Sequence, residues 1–130
     1  MSQENVEIVR RVYKLTEAQG VEGLLDLATD DVVWISDPRF PGGGRHTGKK
    51  NVQRWLREIW IYDEVSIDVE EIIDLGDRAL SVTWFHGVSA GGPPVDWPWF
   101  HHFAFRDGRI SQVQVFLDRA EALEAAGLQE

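Results

Sequence analysis

The segment 95–105 alternates in the manner of a β-strand and carries a histidine on its apolar side. The odd positions, which share one face of a strand, are Val95, Trp97, Trp99, His101, Phe103 and Phe105. Removal from water favours the neutral form of an imidazole, which can donate a hydrogen bond or take a proton. His101 is therefore either a core histidine bonded to a backbone carbonyl, the more common fate of a buried polar group, or a working group in a dry pocket.

Two further residues have side chains suited to acid–base chemistry. Tyr13 lies on the apolar stripe of a predicted helix, one turn after Val9, so its hydroxyl needs a buried partner whether or not it has a function. Asp37 follows the apolar run 32–35 and precedes Pro38. Its carboxylate lies either at the mouth of a pocket enclosed by the sheet or in an ordinary Asp-Pro turn.

The remaining histidines, His46, His86 and His102, raise the question of a metal site. His86 comes two residues after Trp84 in a predicted strand, where it either faces inward or lies at a frayed strand end. His101 and His102 are neighbours on one strand and point to opposite faces, and no pair has the helical spacing of a zinc enzyme. We expect neither a metal nor another cofactor.

Composition narrows the class of protein and of partner. The 130 residues are 43% hydrophobic and 27% charged, which predicts one globular domain over residues 1–130. Thirteen Lys and Arg against 22 Asp and Glu give a net charge of −9, so we expect no nucleic-acid or membrane partner. Without an apolar run of about 20 residues or a signal-like start, a cytoplasmic location is expected. Cysteine is absent, and six tryptophans hint at a small-molecule pocket.

The elements that must position these residues change character half-way along the chain. Apolar residues recur every three or four positions in predicted helices over 2–19, over 21–28 and from 49 to about 60. Strands are predicted over 32–35, from 65, and over 79–88, 95–105 and 110–117, with Asp107-Gly108 as a hairpin turn and Asp118 capping a last helix. The segment 39–48 is predicted to be irregular. Helices followed by an antiparallel meander predict an α+β fold with the helices on one face of the sheet.

This order of elements resembles the nuclear transport factor 2-like superfamily over nearly the whole chain. Residues 4–13 and 105–110 are similar to its SnoaL-like branch, which includes polyketide cyclases. The resemblance implies a curved antiparallel sheet wrapped around the N-terminal helices, in a cystatin-like cone. It specifies the fold well and the reaction poorly.

The ketosteroid isomerases of this superfamily are similar in the placement of two residues. Tyr13 falls where they carry an oxyanion-binding tyrosine, and Asp37 falls where they carry a general base just before a proline. His101 departs from them, because it stands where the family has a protonated aspartate. The resemblance implies proton abstraction next to a carbonyl, with Asp37 as base and Tyr13 and His101 on the oxyanion.

Two functions of different classes are therefore considered. One is an enzyme that begins isomerisation, cyclisation or dehydration by proton abstraction, and the other is a non-catalytic module that binds an apolar small molecule. In both, the pocket is predicted to be lined by Trp34, Trp55, Trp97, Trp99, Phe103 and Phe116, with His86 as a further candidate. Epoxide hydrolysis ranks low, since no arginine lies between Arg78 and Arg106. We also expect a homodimer, since outward positions such as Phe100 leave apolar area on the second face of the sheet.

Overall fold

The computed structural model describes residues 2–39 and 42–128, which form a six-stranded sheet and four helices. In chain order the elements are α1 (Ser2–Gln19), α2 (Val21–Leu25), β1 (Ala28–Ser36), β2 (Gly44–Thr47), α3 (Lys49–Ile59), β3 (Glu64–Asp74), β4 (Arg78–Val88), β5 (Val95–Arg106), β6 (Arg109–Phe116) and α4 (Arg119–Ala125). The α+β fold class is confirmed.

The strands lie in the order β2-β1-β6-β5-β4-β3. From β6 to β3 the neighbours are antiparallel, as the meander predicts. β1 instead runs parallel to β6, with Trp34 beside Val113. The sheet is therefore mixed, because α3 carries the chain from β2 at one edge to β3 at the other, and the meander then returns until β6 lies beside β1.

Two boundaries differ from the prediction. The second helix ends at Leu25, since Ala28 already pairs with Ile110 as the start of a nine-residue strand. The segment 39–48 is not irregular throughout: β2 forms there and pairs antiparallel with the end of β1, placing His46 opposite Trp34. A short edge strand of mixed burial has little hydrophobic signal, so periodicity does not reveal it.

The sheet has a core on each face. The inner face, which carries the odd residues of β4 and β5, packs against α1, α2 and α3 in the larger core. The outer face carries Leu80, Val82 and Phe100, which pack with Leu123 and its neighbours in α4. The expectation that all helices lie on one face is therefore wrong for α4, because three large apolar residues on the outer face need cover.

Local signals fix the ends of the last elements. Asp107 and Gly108 both have positive φ, 53° and 76°, as a tight hairpin between β5 and β6 requires. Asp118 caps α4, its Oδ1 accepting a 3.0 Å hydrogen bond from the Glu121 amide. None of the helices in the described ranges is long and apolar enough to cross a bilayer.

Candidate functional site

A cavity of about 440 Å³ lies between α3 and the inner face of the sheet, and we call it the aromatic pocket. Seven of its described lining residues are aromatic: Trp34, Trp55, Trp60, Tyr62, Phe85, Trp97 and Trp99. The others are Ser36, Leu56, Glu58, Ile59, Ile61 and Val115. The pocket thus draws on β1, α3, the α3–β3 connection, β4, β5 and β6.

The register of the central strands sets the angles between the rings. Phe85 on β4 lies opposite Trp97 on β5, and their rings stack at 4.6 Å between centroids and 21° between planes. Trp99, two residues further along β5, meets Phe85 edge-on at 78°. The lining therefore combines stacked and edge-on ring pairs, the two geometries in which aromatic groups attract one another.

Polar groups are scarce in the lining. The Ser36 hydroxyl accepts a 3.2 Å hydrogen bond from Trp34 Nε1. Glu58 is exposed, and partial burial raises the pKa of Tyr62, which keeps its phenol neutral. Shape and stacking must therefore supply most of the affinity for any occupant.

A buried polar cluster lies deeper in the inner core. The Tyr13 hydroxyl on α1 is hydrogen-bonded to Ser81 Oγ on β4, and it lies 2.8 Å from His101 Nδ1 on β5. Tyr13 is 2% exposed and His101 is fully buried. The prediction that His101 is buried within reach of Tyr13 is therefore confirmed.

Burial fixes the charge states of this cluster. It lowers the pKa of His101 to about 3, so the imidazole is neutral at physiological pH. Burial also raises the pKa of Tyr13, an effect that the hydrogen bond to Ser81 only partly offsets. Both rings enter any reaction uncharged.

The direction of the hydrogen bonds determines which proton the cluster can offer. Ser81 Oγ donates to the His101 carbonyl oxygen at 3.3 Å, so it accepts the proton of Tyr13. The Tyr13 oxygen then accepts from Nδ1–H of His101, and Nε2 carries a lone pair. No described residue bonds Nε2, which is buried. The cluster therefore has one free acceptor and no free donor.

Tryptophan rings separate this cluster from the aromatic pocket. The centroid of the His101 ring lies 4.1 Å from that of Trp99 and 6.3 Å from that of Trp34. Both tryptophans line the pocket. Neither Tyr13 nor His101 is among the described lining residues. The predicted hydrogen-bonding pair lies directly behind the wall of the pocket.

Asp37 lies apart from both. Arg39 donates to its carboxylate through the guanidinium, with Nε at 2.8 Å, and through the backbone amide. These hydrogen bonds lower the pKa of Asp37 to about 2. Asp37 is not among the described lining residues of the pocket, although its neighbour Ser36 is. Here it is a poor proton acceptor.

The other predicted lining residues are divided between the two faces of the sheet. Trp34, Trp55, Trp97 and Trp99 line the pocket as expected. Phe103 lies on the inner face but is buried against the rings of Tyr13 and His101.

His86 and Phe116 do not face the pocket. Phe116 lies opposite Phe100 in the β5–β6 pairing and so shares its outer face. His86 is likewise outward, between Asp68 Oδ2 at 2.8 Å and Asp96. Both residues face outward, so the prediction that Phe116 lines the pocket is wrong, and so is the inward alternative for His86.

Sequence reasoning missed three aromatic residues of the pocket. Alternation does not identify Phe85, because β4 carries apolar residues on both faces and only its pairing with β5 shows that the odd positions are inner. Trp60 continues the apolar stripe of the helix predicted from 49 to about 60, although it lies just after α3, so its side was available from the sequence. Tyr62 lies in the irregular connection between α3 and β3, where no periodicity predicts which way a side chain points.

The described residues were predicted to hold no metal, and the arrangement of their potential ligands bears on that expectation. Within residues 2–39 and 42–128, no three His, Asp or Glu side chains are arranged to hold an ion. His46, one of the histidines considered above, stacks on Trp55 at 4.5 Å and 17° and contacts the Gly42 carbonyl oxygen through Nε2 at 2.9 Å.

Comparison with known protein families identifies the family of this chain. Residues 9–113 match the SnoaL-like domain. The chain belongs to the SnoaL-like domain family. This match confirms the resemblance seen in the sequence and covers most of the elements that build the pocket. No curated protein matches the chain.

Solved structures share this SnoaL-like fold at low sequence identity. A protein of unknown function from Burkholderia pseudomallei, described as NTF2-like, has a TM-score of 0.77 at 22% identity over 93% of this chain and 95% of its own. TerC, co-crystallised with polyporic acid, has a TM-score of 0.76 at 20% identity over 95% and 98%. A computationally designed 17-OHP binder has a TM-score of 0.74 at 20% identity over 89% and 94%.

Proposed function

We propose that this SnoaL-like protein binds a flat, largely apolar small molecule in the aromatic pocket. The observation that carries the proposal is the lining itself, with seven aromatic side chains around a cavity of about 440 Å³. Cavities of roughly 300–1,000 Å³ with few polar groups are typical of small-molecule sites. A fused-ring molecule can stack on Trp97 and meet the edge of Trp99 together.

Two relatives with this fold support that class of ligand. TerC was crystallised with polyporic acid, and the designed protein binds 17-OHP. The low identity shows the fold alone, so the ligand of this chain is inferred from its own pocket. Its few polar groups favour a ligand with few hydrogen-bonding groups over a sugar or nucleotide.

Binding is tested by titrating the protein with 1-hydroxypyrene and following tryptophan fluorescence. We expect saturable quenching that Trp97→Ala weakens at least fivefold. Trp84→Ala is the matched control, because Trp84 lies on the outer face and is 37% exposed. Equal binding by wild type and Trp97→Ala, or equal weakening in both variants, contradicts binding in the aromatic pocket.

Proton abstraction next to a carbonyl is the second candidate. The observation in its favour is the buried Tyr13–His101 pair, at 2.8 Å and directly behind the pocket wall. Catalysis requires the Asp37 carboxylate to leave Arg39 and the Tyr13 proton to turn from Ser81 towards the substrate. Because both changes are needed first, this candidate ranks second.

Turnover of an enolisable ketone tests it. With Asp37 as base, Asp37→Asn abolishes turnover and spares binding. Tyr13→Phe raises the barrier by about 2–4 kcal/mol, the effect of removing one oxyanion donor. Unchanged activity in Asp37→Asn excludes this base, and an inactive parent protein leaves ligand binding as the function.

We further propose that the protein is a homodimer that uses the outer face of the sheet. α4 already buries Phe100, but Trp84 and Val88 are each 37% exposed on the same face. Sedimentation at micromolar concentration is expected to give twice the chain mass, and Trp84→Glu to shift it towards the monomer. A monomeric wild type contradicts the proposal.

A further inference from the structure

The end wall of the aromatic pocket consists of two rings from the connection between α3 and β3. Trp60 and Tyr62 line the aromatic pocket on one side. On the other side they line a second cavity of about 380 Å³, whose described lining includes Thr16, Glu17 and Arg57. We call these two rings the partition, because an apolar space and a polar one meet at them.

Contacts at both ends hold the partition in place. The Trp60 amide donates to the Leu56 carbonyl oxygen at 2.9 Å, and the Asp63 amide donates to that of Val88 at 2.8 Å. The Tyr62 ring packs on Phe85 with centroids 5.1 Å apart. The connection lacks regular structure, so the positions of its rings depend on what their neighbours allow.

Gly87 on β4 is the neighbour that makes room for Tyr62. A Cβ atom at position 87 would lie 2.7 Å from Tyr62 Cδ1 and 2.8 Å from Phe85 Cε2. Both distances are shorter than van der Waals contact allows. Gly87 does not have a positive φ, so other residues can adopt its backbone conformation. The requirement for glycine is therefore one of space, as when another group approaches a strand closely.

We propose that Gly87 is a specificity-determining residue: by leaving room for the Tyr62 ring against β4, it sets where the aromatic pocket ends. The inference rests on the ligand-binding function proposed above and adds to it a limit on ligand size. Phe85 is 1% exposed and lies against Trp97 and Trp99, so it cannot yield to a new methyl group. Tyr62 is only partly buried and must move away from Gly87, and because its ring bounds the aromatic pocket, the end of the pocket moves with it.

A pair of probes of different size tests this limit. We expect Gly87→Ala to weaken binding of 1-hydroxypyrene at least tenfold and binding of 2-naphthol less than threefold. Gly92→Ala is the matched control, since it adds the same methyl group in the β4–β5 loop, where the nearest atom is the Ser89 hydroxyl oxygen. Equal weakening of both probes by Gly87→Ala overturns the inference.

A double variant identifies the residue through which the methyl group acts. If Gly87 acts by making room for the Tyr62 ring, adding Gly87→Ala to Tyr62→Ala has no further effect on the binding of either probe. A persisting effect means that the methyl group acts through Phe85 or the strand, and the inference is then wrong. Thermal unfolding confirms that each variant is folded at the temperature of the titrations.

A structural measurement separates this inference from the proposed function. If the wild type binds neither probe, the ligand-binding proposal fails. The position of the Tyr62 ring is then compared between crystal structures of wild type and Gly87→Ala. A Tyr62 ring displaced by 1 Å or more, the order of movement needed to restore van der Waals contact, supports the inference, and an unmoved ring overturns it.

Discussion

His101 and His86 lie on opposite faces of the sheet, and the surroundings of the two rings are opposite. On the inner face, His101 is fully buried, is bonded through Nδ1 to an uncharged phenol, and has no partner at Nε2 among the described residues. On the outer face, both nitrogens of His86 meet carboxylates, those of Asp68 and Asp96. Burial therefore lowers the pKa of the first ring, and the two carboxylates raise the pKa of the second.

The difference shows how one sheet separates two kinds of chemistry. A neutral imidazole can donate through only one nitrogen, so two carboxylate partners favour the protonated ring of His86 and raise its pKa. Behind the aromatic pocket, burial acts in the opposite direction on His101. The inner face around the aromatic pocket excludes charge and suits an apolar ligand, while the exposed surface of the outer face around His86 carries charge. His102, which is buried on that outer face beside Leu80, has a pKa lowered by burial, so the contrast follows exposure.

Truncation of an inner tryptophan is expected to give the largest effect. Trp99 is 7% exposed, and Trp99→Ala should lower the free energy of unfolding by about 3–5 kcal/mol, as for other large-to-small core substitutions. Trp84→Ala on the outer face should lower it by about 1 kcal/mol, because the side chain is already partly hydrated. Urea unfolding measures both, and equal losses would mean that the two faces are equally packed.

Acid should destabilise the protein through His101. The folded pKa is about 3 and the unfolded value about 6.5, so the unfolded state binds more protons between these values. Stability should therefore fall as pH decreases below 6.5, by up to about 1.4 kcal/mol for each pH unit. Denaturant unfolding at pH 7 and pH 5 is compared with that of His101→Asn, which lacks the titrating ring. If the free energy of unfolding changed equally between pH 7 and pH 5 in the wild type and in His101→Asn, His101 would not be buried in its neutral form.

Removing one hydroxyl from the inner cluster should have a smaller effect. Tyr13→Phe leaves His101 Nδ1 and Ser81 Oγ without their partner and should cost about 1–2 kcal/mol of stability. Tyr62→Phe is the matched control, because the pocket tyrosine has no such buried cluster, and it should change stability by less than about 0.5 kcal/mol. A loss of stability in Tyr62→Phe as large as that in Tyr13→Phe would show that the buried cluster gives the Tyr13 hydroxyl no special role.

The smallest effect is expected on the outer face at high pH. The two carboxylates raise the pKa of His86 in the folded state. The contribution of these ion pairs to the free energy of unfolding is therefore complete below pH 6.5 and is lost as pH rises through the folded pKa. The group is exposed, so added salt should reduce the effect further. NMR titration of the ring protons measures this pKa directly. A value at or below 6.5 would show that the two carboxylates do not act on the ring.

The sequence predicts the inner face well because one strand carries most of the signal. Alternation on β5 places Trp97, Trp99 and His101 together, and the helical stripe of α1 brings Tyr13 to them. Alternation within one strand does not reveal its register with the next. The sequence therefore leaves the side of His86 open and wrongly predicts that Phe116 faces the pocket, whereas cross-strand pairing places both outward.

Asp37 shows a different gap between sequence and site. Its placement before Pro38 agrees with the ketosteroid isomerase resemblance, but Arg39, two residues later, captures the carboxylate in a local turn. The competing local partner was visible in the sequence. Nothing in periodicity predicted that it would prevail, because the choice depends on geometry at the end of β1.

The parallel pairing of β1 with β6 has a consequence for the order of folding. Trp34 lies beside Val113, about 80 residues later, so these strands can pair only after the whole intervening meander has formed or been made. Contacts between residues so far apart in sequence slow folding, because a long loop must close first. During synthesis on the ribosome, β1 can pair with β2 early, but its other edge must wait for β6, and a nascent protein that stalls before β6 would expose that edge to chaperones.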